Sequence, residues 1–423
     1  MVQSSPPRGV HHDPWLIGTG DLEKLAQSIF DTIEQLCERP KRQWQDATYR
    51  RRLMVDNIVA NMALLVAYHP EGTHLAVSAK NTKRSLRYDR EAFSRKALMH
   101  LIREMEELEL LTRIVGTKGV SNTLLRPAGR LLASLEALPG VPALGRVEGA
   151  ESIILKAYAG KKLAKIPIEY EDTPESLLAR DQMGRINRAL NAADITFDGK
   201  PVPPIFLKRH FQIESVAAPH TFDRHGRLYH GLWESLARED RHRIRIDGQQ
   251  VAEIDFAGMF VHLAYAEAGL EQPEGDPYEG LGSLTRKAAK IAFSTLISKE
   301  GPLRQLPDDL TSILPAGIKP REVTQAILSK HHPVAHLFGK RVGMRLMYVE
   351  SEIMVSTLLK LIEQDRIALP LHDGLLVNDD TADLCEAAMR EAGRTALGRE
   401  IPVSRKPNLK CPPNGRCLPS RCL

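Results

Sequence analysis

Residues 366–380, RIALPLHDGLLVNDD, decide the reading of the fold. Ile367, Leu369 and Leu371 alternate with their neighbours, His372-Asp373-Gly374 interrupts, and Leu375 and Val377 resume the alternation. Apolar spacing of period two on both sides of a short polar break is the pattern of a β-hairpin, with Asp373 displayed at its tip. Asp-Gly is also an ordinary choice for a tight turn on backbone grounds, so the hairpin alone assigns no chemistry.

Outward from the hairpin, residues 344–364, MRLMYVESEIMVSTLLKLIEQ, have helical spacing, with Leu346, Val349, Ile353 and Leu361 expected inside. Residues 284–300, LTRKAAKIAFSTLISKE, form a second helix that stacks Arg286 and Lys290 four residues apart. Two cations so placed repel slightly, and an anionic ligand would relieve them. Further upstream, residues 251–270, VAEIDFAGMFVHLAYAEAGL, read as an apolar strand ending near Asp255, then a helix with Phe260, Leu263 and Ala264 inward. A carboxylate at the end of a buried strand needs a cation, a donor or water. Its simplest task would be to cap the helix that follows.

The order of these elements gives the two aspartates a shared use. Phosphoryl transfer asks a protein mainly for positioning and charge neutralisation. Two carboxylates from strands distant in sequence can hold two magnesium ions about 3.5–4 Å apart. Magnesium accepts a few hard oxygens completed by water and phosphate, and manganese is the expected substitute. The helix cations Arg286 and Lys290 would then meet a nucleoside triphosphate.

At these positions the chain resembles the palm and fingers of family-A DNA polymerases and the related single-subunit, phage-type RNA polymerases. EIDFAGMFVHLAYA is similar to motif A, D-Y-S-Q-I-E-L-R, which implies that Asp255 is a catalytic, metal-holding residue. LPLHDGLLV is similar to motif C, which implies the same for Asp373 and sets His372 near the primer terminus. RKAAK is similar to the start of motif B, R-x-x-A-K, so the resemblance implies triphosphate binding by Arg286 and Lys290. HGRLYHGLWESLARE, residues 225–239, is similar to the segment before motif A, which sets Arg227 against primer–template or nucleotide.

The departures from the family are specific. Phe260 stands where motif A has a sugar-selecting glutamate, and its bulk could press on a 2′-hydroxyl. Ser298 replaces the motif B tyrosine, and Gly374 closes motif C in place of glutamate or serine. The interval between the aspartates is short for the family, which implies trimmed fingers. The resemblance covers roughly residues 209–403, under half of the chain.

The first half is read from its residues alone. Leu22, Leu25, Ile29, Ile33 and Leu36 mark a helix, and the basic run Lys41, Arg42, Arg50, Arg51, Arg52 is a candidate nucleic-acid contact, Lys41 and Arg42 foremost. Residues 93–135 follow the order helix, strand, turn, strand of a winged-helix module. Residues 139–149 read as a linker, and residues 150–204 as a small α/β connecting region.

Composition bounds the rest. Of 423 residues 43% are hydrophobic and 26% charged, a globular balance, and the formal charge of +5 permits a polyanionic partner without demanding one. Neither a signal peptide nor a membrane span is apparent, and five cysteines, an odd number, fit a reducing cytoplasm. Residues 406–423, rich in Cys and Pro, are expected to be a disordered tail.

The expected architecture is therefore α+β. A helical, winged-helix-like region over residues 1–137 precedes a right-hand palm of antiparallel sheet and helices, with short fingers, over residues 205–405. The expected function is nucleotidyl transfer on primer–template DNA without proofreading, within replication of a phage or other mobile element. Sugar choice, priming mode and oligomeric state stay open. The rival readings are a non-catalytic DNA-binding or replication-initiation protein and a template-independent or primase-like transferase.

Overall fold

The computed structural model describes residues 9–37, 45–78, 85, 87–91, 93–116, 122–158, 160, 165–272 and 274–406. It mixes helices and sheets and divides into two compact units, Met1–Glu151 and Ser152–Leu423. Among the described residues strand pairing is antiparallel except at two places, one in each unit.

The first unit runs β1 (Gly9–His11), β2 (Leu16–Gly18), α1 (Asp21–Leu36), α2 (Gln45–Tyr68), β3 (His74–Val77), α3 (Arg95–Glu107), β4 (Leu111–Ile114), β5 (Thr123–Pro127), α4 (Gly129–Glu136) and β6 (Leu144–Arg146). The stripe expected on α1 buries Leu22, Ile29 and Ile33, while Leu36 at the helix end is exposed. These side chains join Ile58 and Met62 of α2 and Leu101 and Met105 of α3 in one core. Ser94 caps α3 by accepting from the Ala97 N–H. The sheet has the order β1-β3-β5-β4, so α3 leads directly into the β4–β5 pair.

Two expectations for this unit change. Residues 139–149 are not simply a linker, because Leu144–Arg146 pairs with β2 and closes the unit's own small sheet. Arg51 is not free for nucleic acid, because its guanidinium is held by Glu34 and Glu104. Lys41 and Arg42 lie outside the described residues.

The second unit contains β7 (Ile153–Tyr158), β8 (Lys165–Pro167), α5 (Pro174–Ala192), β9 (Ile195–Phe197), β10 (Lys200–Pro201), β11 (Lys208–Ile213), β12 (His225–Tyr229), β13 (Ile244–Ile246), β14 (Gln249–Phe256), α6 (Met259–Glu267), α7 (Arg286–Ser298), α8 (Asp308–Thr311), α9 (Pro320–His331), α10 (Gly343–Ile362), β15 (Ala368–Leu371), β16 (Gly374–Asn378), α11 (Ala382–Leu397) and β17 (Val403–Arg405). The segment expected as a separate connecting region supplies β7 to β10, and these strands join the unit's two sheets. One sheet has the order β10-β9-β13-β14-β16-β15 with β17 on the free edge of β14, and the other β12-β11-β7-β8.

Helix α10 is the hub of the unit, packing on α5, α6, α7, α11, β12 and β15. It buries Leu346, Ile353, Met354, Leu358 and Leu361. Val349, expected inside, is only half-buried, and the fully buried position beside it belongs to Glu350. Residues 346, 350, 353, 357 and 361 form a single stripe at three- and four-residue spacing, so a charged residue occupies a core position.

Candidate active site

The site grows from β14. Alternation along the strand sends Ala252, Ile254 and Phe256 into the core and leaves Glu253 and Asp255 on the opposite face. β14 pairs antiparallel with β16 in a register that sets Asp255 opposite Gly374. The Phe256 N–H donates to the Asp373 carbonyl at 3.1 Å. The strand end that carries Asp255 is therefore bonded to the hairpin turn that carries Asp373.

Neither local explanation of these residues holds. Helix α6 begins at Met259, and its N-cap is Gly258 at φ 69°, so Asp255 does not cap it. The turn of the β15–β16 hairpin is His372-Asp373, and the left-handed residue is His372 at φ 48°. Gly374 has an ordinary φ and opens β16. Its missing side chain matters for another reason: an added Cβ would lie 1.8 Å from Asp255 Oδ1. The glycine makes room for the carboxylate.

Charge around the pair is organised. Burial raises the Asp255 carboxyl above its usual range, and Asp373 adds to the rise while Lys406 opposes it. The Lys406 ammonium contacts both Asp255 and Glu253, and its backbone N–H donates to the Glu253 carbonyl at 2.9 Å. Lys406, expected as the first residue of the tail, is thus bound to the edge of the sheet; residues 407–423 lie outside the described residues. Glu253 is also engaged by Arg241 at 3.3 Å and Arg238 at 3.7 Å.

Among the described residues no group of three or more His, Cys, Asp or Glu side chains is placed to hold a metal ion. A magnesium site here would rest on Asp255 and Asp373 plus water and phosphate, a donor set that a hard cation accepts. The Lys406 ammonium already lies on the desolvated Asp255, so a metal ion held there would have to displace it.

Arg227 lies on β12 and makes a two-point ion pair with Glu350, Nε to Oε1 at 2.6 Å and Nη2 to Oε2 at 2.9 Å. Burial pushes the Glu350 carboxyl up to about 7 against the pull of Arg227, with Asp373 adding to the rise. The guanidinium also lies over the half-buried Phe260 ring, 5.7 Å from its centre. Arg227 is thereby fixed within electrostatic reach of Asp373.

Helix α7 buries Ala288, Ala289, Ala292 and Phe293 and exposes Arg286 and Lys290, as its pattern predicts. Lys290 has no ion-pair partner among the described residues and lies within electrostatic reach of Glu350. Arg286 is not free: it donates to Asp276 at 2.6 Å and covers the buried Tyr278 ring at 5.6 Å. Burial and the nearby Asp373 hold the Tyr278 hydroxyl above its usual pKa. His372 is exposed, with its ring edge-on to Tyr229 at 5.5 Å. Desolvation of the ring and the charge of Arg227 keep it below the usual histidine pKa.

The structure brings Asp255, Asp373, His372, Arg227 and Phe260 together directly, and links Lys290 and Arg286 to them through Glu350 and Tyr278. His331 belongs elsewhere: it is fully buried, contacting the Pro277 carbonyl at 2.8 Å and the Tyr265 hydroxyl at 3.2 Å. Sequence reasoning missed Glu350, although a carboxylate on the apolar stripe of α10 was a usable signal. It missed Lys406 and Tyr278 as well, and for those no local signal exists. Comparison of the chain with protein-family models and with curated proteins returns no match.

Proposed function

We propose that the chain is a nucleotidyltransferase that extends a nucleic-acid strand on a template, its second unit being a compact, divergent palm of the family-A type. One observation supports the reading: Asp255, paired with Gly374, lies beside the hairpin turn that carries Asp373, whose carbonyl accepts from the Phe256 N–H. Magnesium, when bound there, supplies the charge neutralisation that phosphoryl transfer needs.

The chain's own groups do the rest. The Asp255 and Asp373 carboxylates lie within electrostatic reach of one another. Lys290, exposed and without an ion-pair partner among the described residues, is available to a triphosphate. Arg286 joins it by exchanging Asp276 for phosphate. Arg227, clamped by Glu350 and backed by Phe260, offers a fixed donor edge to the strand beside Asp373. The departures Phe260 and Gly374 each have a structural task at this site, which argues against a decayed palm that only binds DNA. In the first unit, α3 followed by β4 and β5 with the order β3-β5-β4 supports a winged-helix reading, and we assign duplex contact to it.

Primer extension on a primed template with magnesium tests the proposal. Asp255→Asn and Asp373→Asn should each lower the rate by about a thousandfold, the equivalent of several kcal/mol of transition-state stabilisation. Extension at wild-type rates in both variants would end the reading.

A further inference from the structure

The second sheet of this unit, β12-β11-β7-β8, has one face on helices and one that the catalytic reading leaves without a task. Arg209, Phe211, Leu228, Leu155 and Ala157 are buried on the side of α5 and α10. On the other side alternation sets Tyr229 on β12, Lys208 and His210 along β11, and the buried Ile154 with Lys156 and Tyr158 along β7. His225 opens β12 beside them, while the Arg227 guanidinium is turned to Glu350 of α10. Lys165 extends this row from β8. An outward sheet face of rings and ammonium groups is unusual, since such faces more often carry small polar residues.

The rings form a connected array. Tyr229 stacks on His210 at 4.7 Å and on His225 at 5.8 Å, and His210 meets the exposed His230 at 5.6 Å. Tyr229 also meets His372, the neighbour of Asp373. Hydrogen bonds fix the order: His225 Nδ1–H donates to the His210 carbonyl at 2.9 Å, and Lys156 Nζ donates to His210 Nδ1 at 3.2 Å. A ring nitrogen that accepts from an ammonium is unprotonated. Burial, with Lys156 beside it, holds His210 down at about 2, and burial holds His225 at about 4. Both imidazoles are flat, neutral surfaces at physiological pH.

The backbone under this array is held in conformations that side chains resist. His225, Gly226 and His230 have φ of 72°, 74° and 82°, and the β11–β12 register shifts beside His210. Two non-glycine residues in the left-handed region at the ends of one short strand are costly to maintain, and such strain gathers at functional positions. Lys165 and Lys208 each lie within electrostatic reach of Lys156, so an anion following the sheet would meet a row of positive charge.

We propose that this face is a platform for single-stranded nucleic acid, with bases stacking on Tyr229 and His230, His210 backing both rings, and phosphates meeting Lys156, Lys165 and Lys208. Bases paired in a duplex hide their faces, whereas unstacked bases expose them to aromatic rings. The array ends at His372, so the platform delivers its strand to Asp373. In that last respect it rests on the polymerase reading.

The test is anisotropy of a labelled oligonucleotide with the full chain in chelator, titrated over a range of salt. Wild type should bind the single strand more tightly than a duplex of the same length. Tyr229→Ala should weaken binding roughly 5- to 100-fold, and Tyr229→Phe should restore it, because stacking needs the ring alone. Changing Lys156, Lys165 and Lys208 together to Gln should reduce the slope of log affinity against log salt by about 2, at roughly 0.7 per phosphate contact. Melting curves matched to wild type accompany each variant, and His230→Ala, at an exposed position, repeats the test of the rings should Tyr229→Ala not fold. Asp255→Asn with Asp373→Asn should bind as wild type. Strand binding through this face without any nucleotide incorporation would overturn the polymerase reading and support the platform. Wild-type affinity and salt slope in the ring and lysine variants, or a preference for duplex, would overturn the platform.

Discussion

At Gly374 an added methyl group would lie 1.8 Å from Asp255 Oδ1 and 2.9 Å from the Ile254 carbonyl oxygen. The first obstacle is a side chain that can rotate; the second is backbone that cannot. Gly374→Ala should therefore displace the Asp255 carboxylate and strain the β14–β16 pair, costing about 1–3 kcal/mol. Incorporation should fall further than that loss explains, which urea midpoints compared with single-turnover rates would reveal; unchanged rates would separate the glycine from the site. Glu350 presents a different balance. Its carboxylate is fully buried and ion-paired with Arg227, so Glu350→Ala strands a largely buried guanidinium at a cost of about 3–5 kcal/mol. Changing Glu350 to Leu and Arg227 to Met together should cost clearly less than the two single changes added. Strict additivity in urea unfolding would mean that the pair does not act as a unit.

Helix α7 meets α10 where Ser298 lies against Gly343. A Cβ on Gly343 would stand 2.2 Å from Ser298 Oγ and 3.0 Å from its Cα. Alanine is the better helix former, but Gly343 opens α10, where that gain is small. The clash with backbone should win, and Gly343→Ala is expected to lose about 1–2 kcal/mol in thermal or urea unfolding. A neutral or stabilising result would show that the two helices can separate freely. The same crossing gives a packing reason for serine at position 298, where the resembled family has tyrosine: this part of α7 is occupied by the start of α10. The α7 helix itself was legible from its 3.6-residue apolar period. Its close approach to α10 was not, because the two residues that permit it are small and carry no periodic signal.

On the scale of the whole molecule, the fully buried core of the first unit runs, among the described residues, from Leu22 to Leu135, with Val10, Leu138 and Leu144 packed against it and β6 closing its own sheet on β2. A unit that completes its own core is able to fold alone. Residues 1–151 expressed as a fragment should melt cooperatively by circular dichroism, and a broad, non-cooperative change would contradict this. The second unit shows the limit of reading boundaries along a chain. Residues 150–204 look like a connector because their strands are short, yet they complete two sheets built mainly from later residues. No helix is long and apolar enough to cross a membrane among the described residues.

The amino-acid sequence by itself determined the local elements around Asp255 and Asp373: an apolar strand, two amphipathic helices and an alternating hairpin. Those depend on neighbours within one turn or one pleat, and such patterns are written in consecutive residues. Only the tertiary structure decided what each charged group faces. Arg227 finds Glu350 across 123 positions, Lys406 reaches Asp255 from the far end of the chain, and Gly374 owes its size to a carboxylate on another strand. Burying a charge requires its partner to arrive from elsewhere in the fold, so strand register and packing fix the pairing and no local pattern records it.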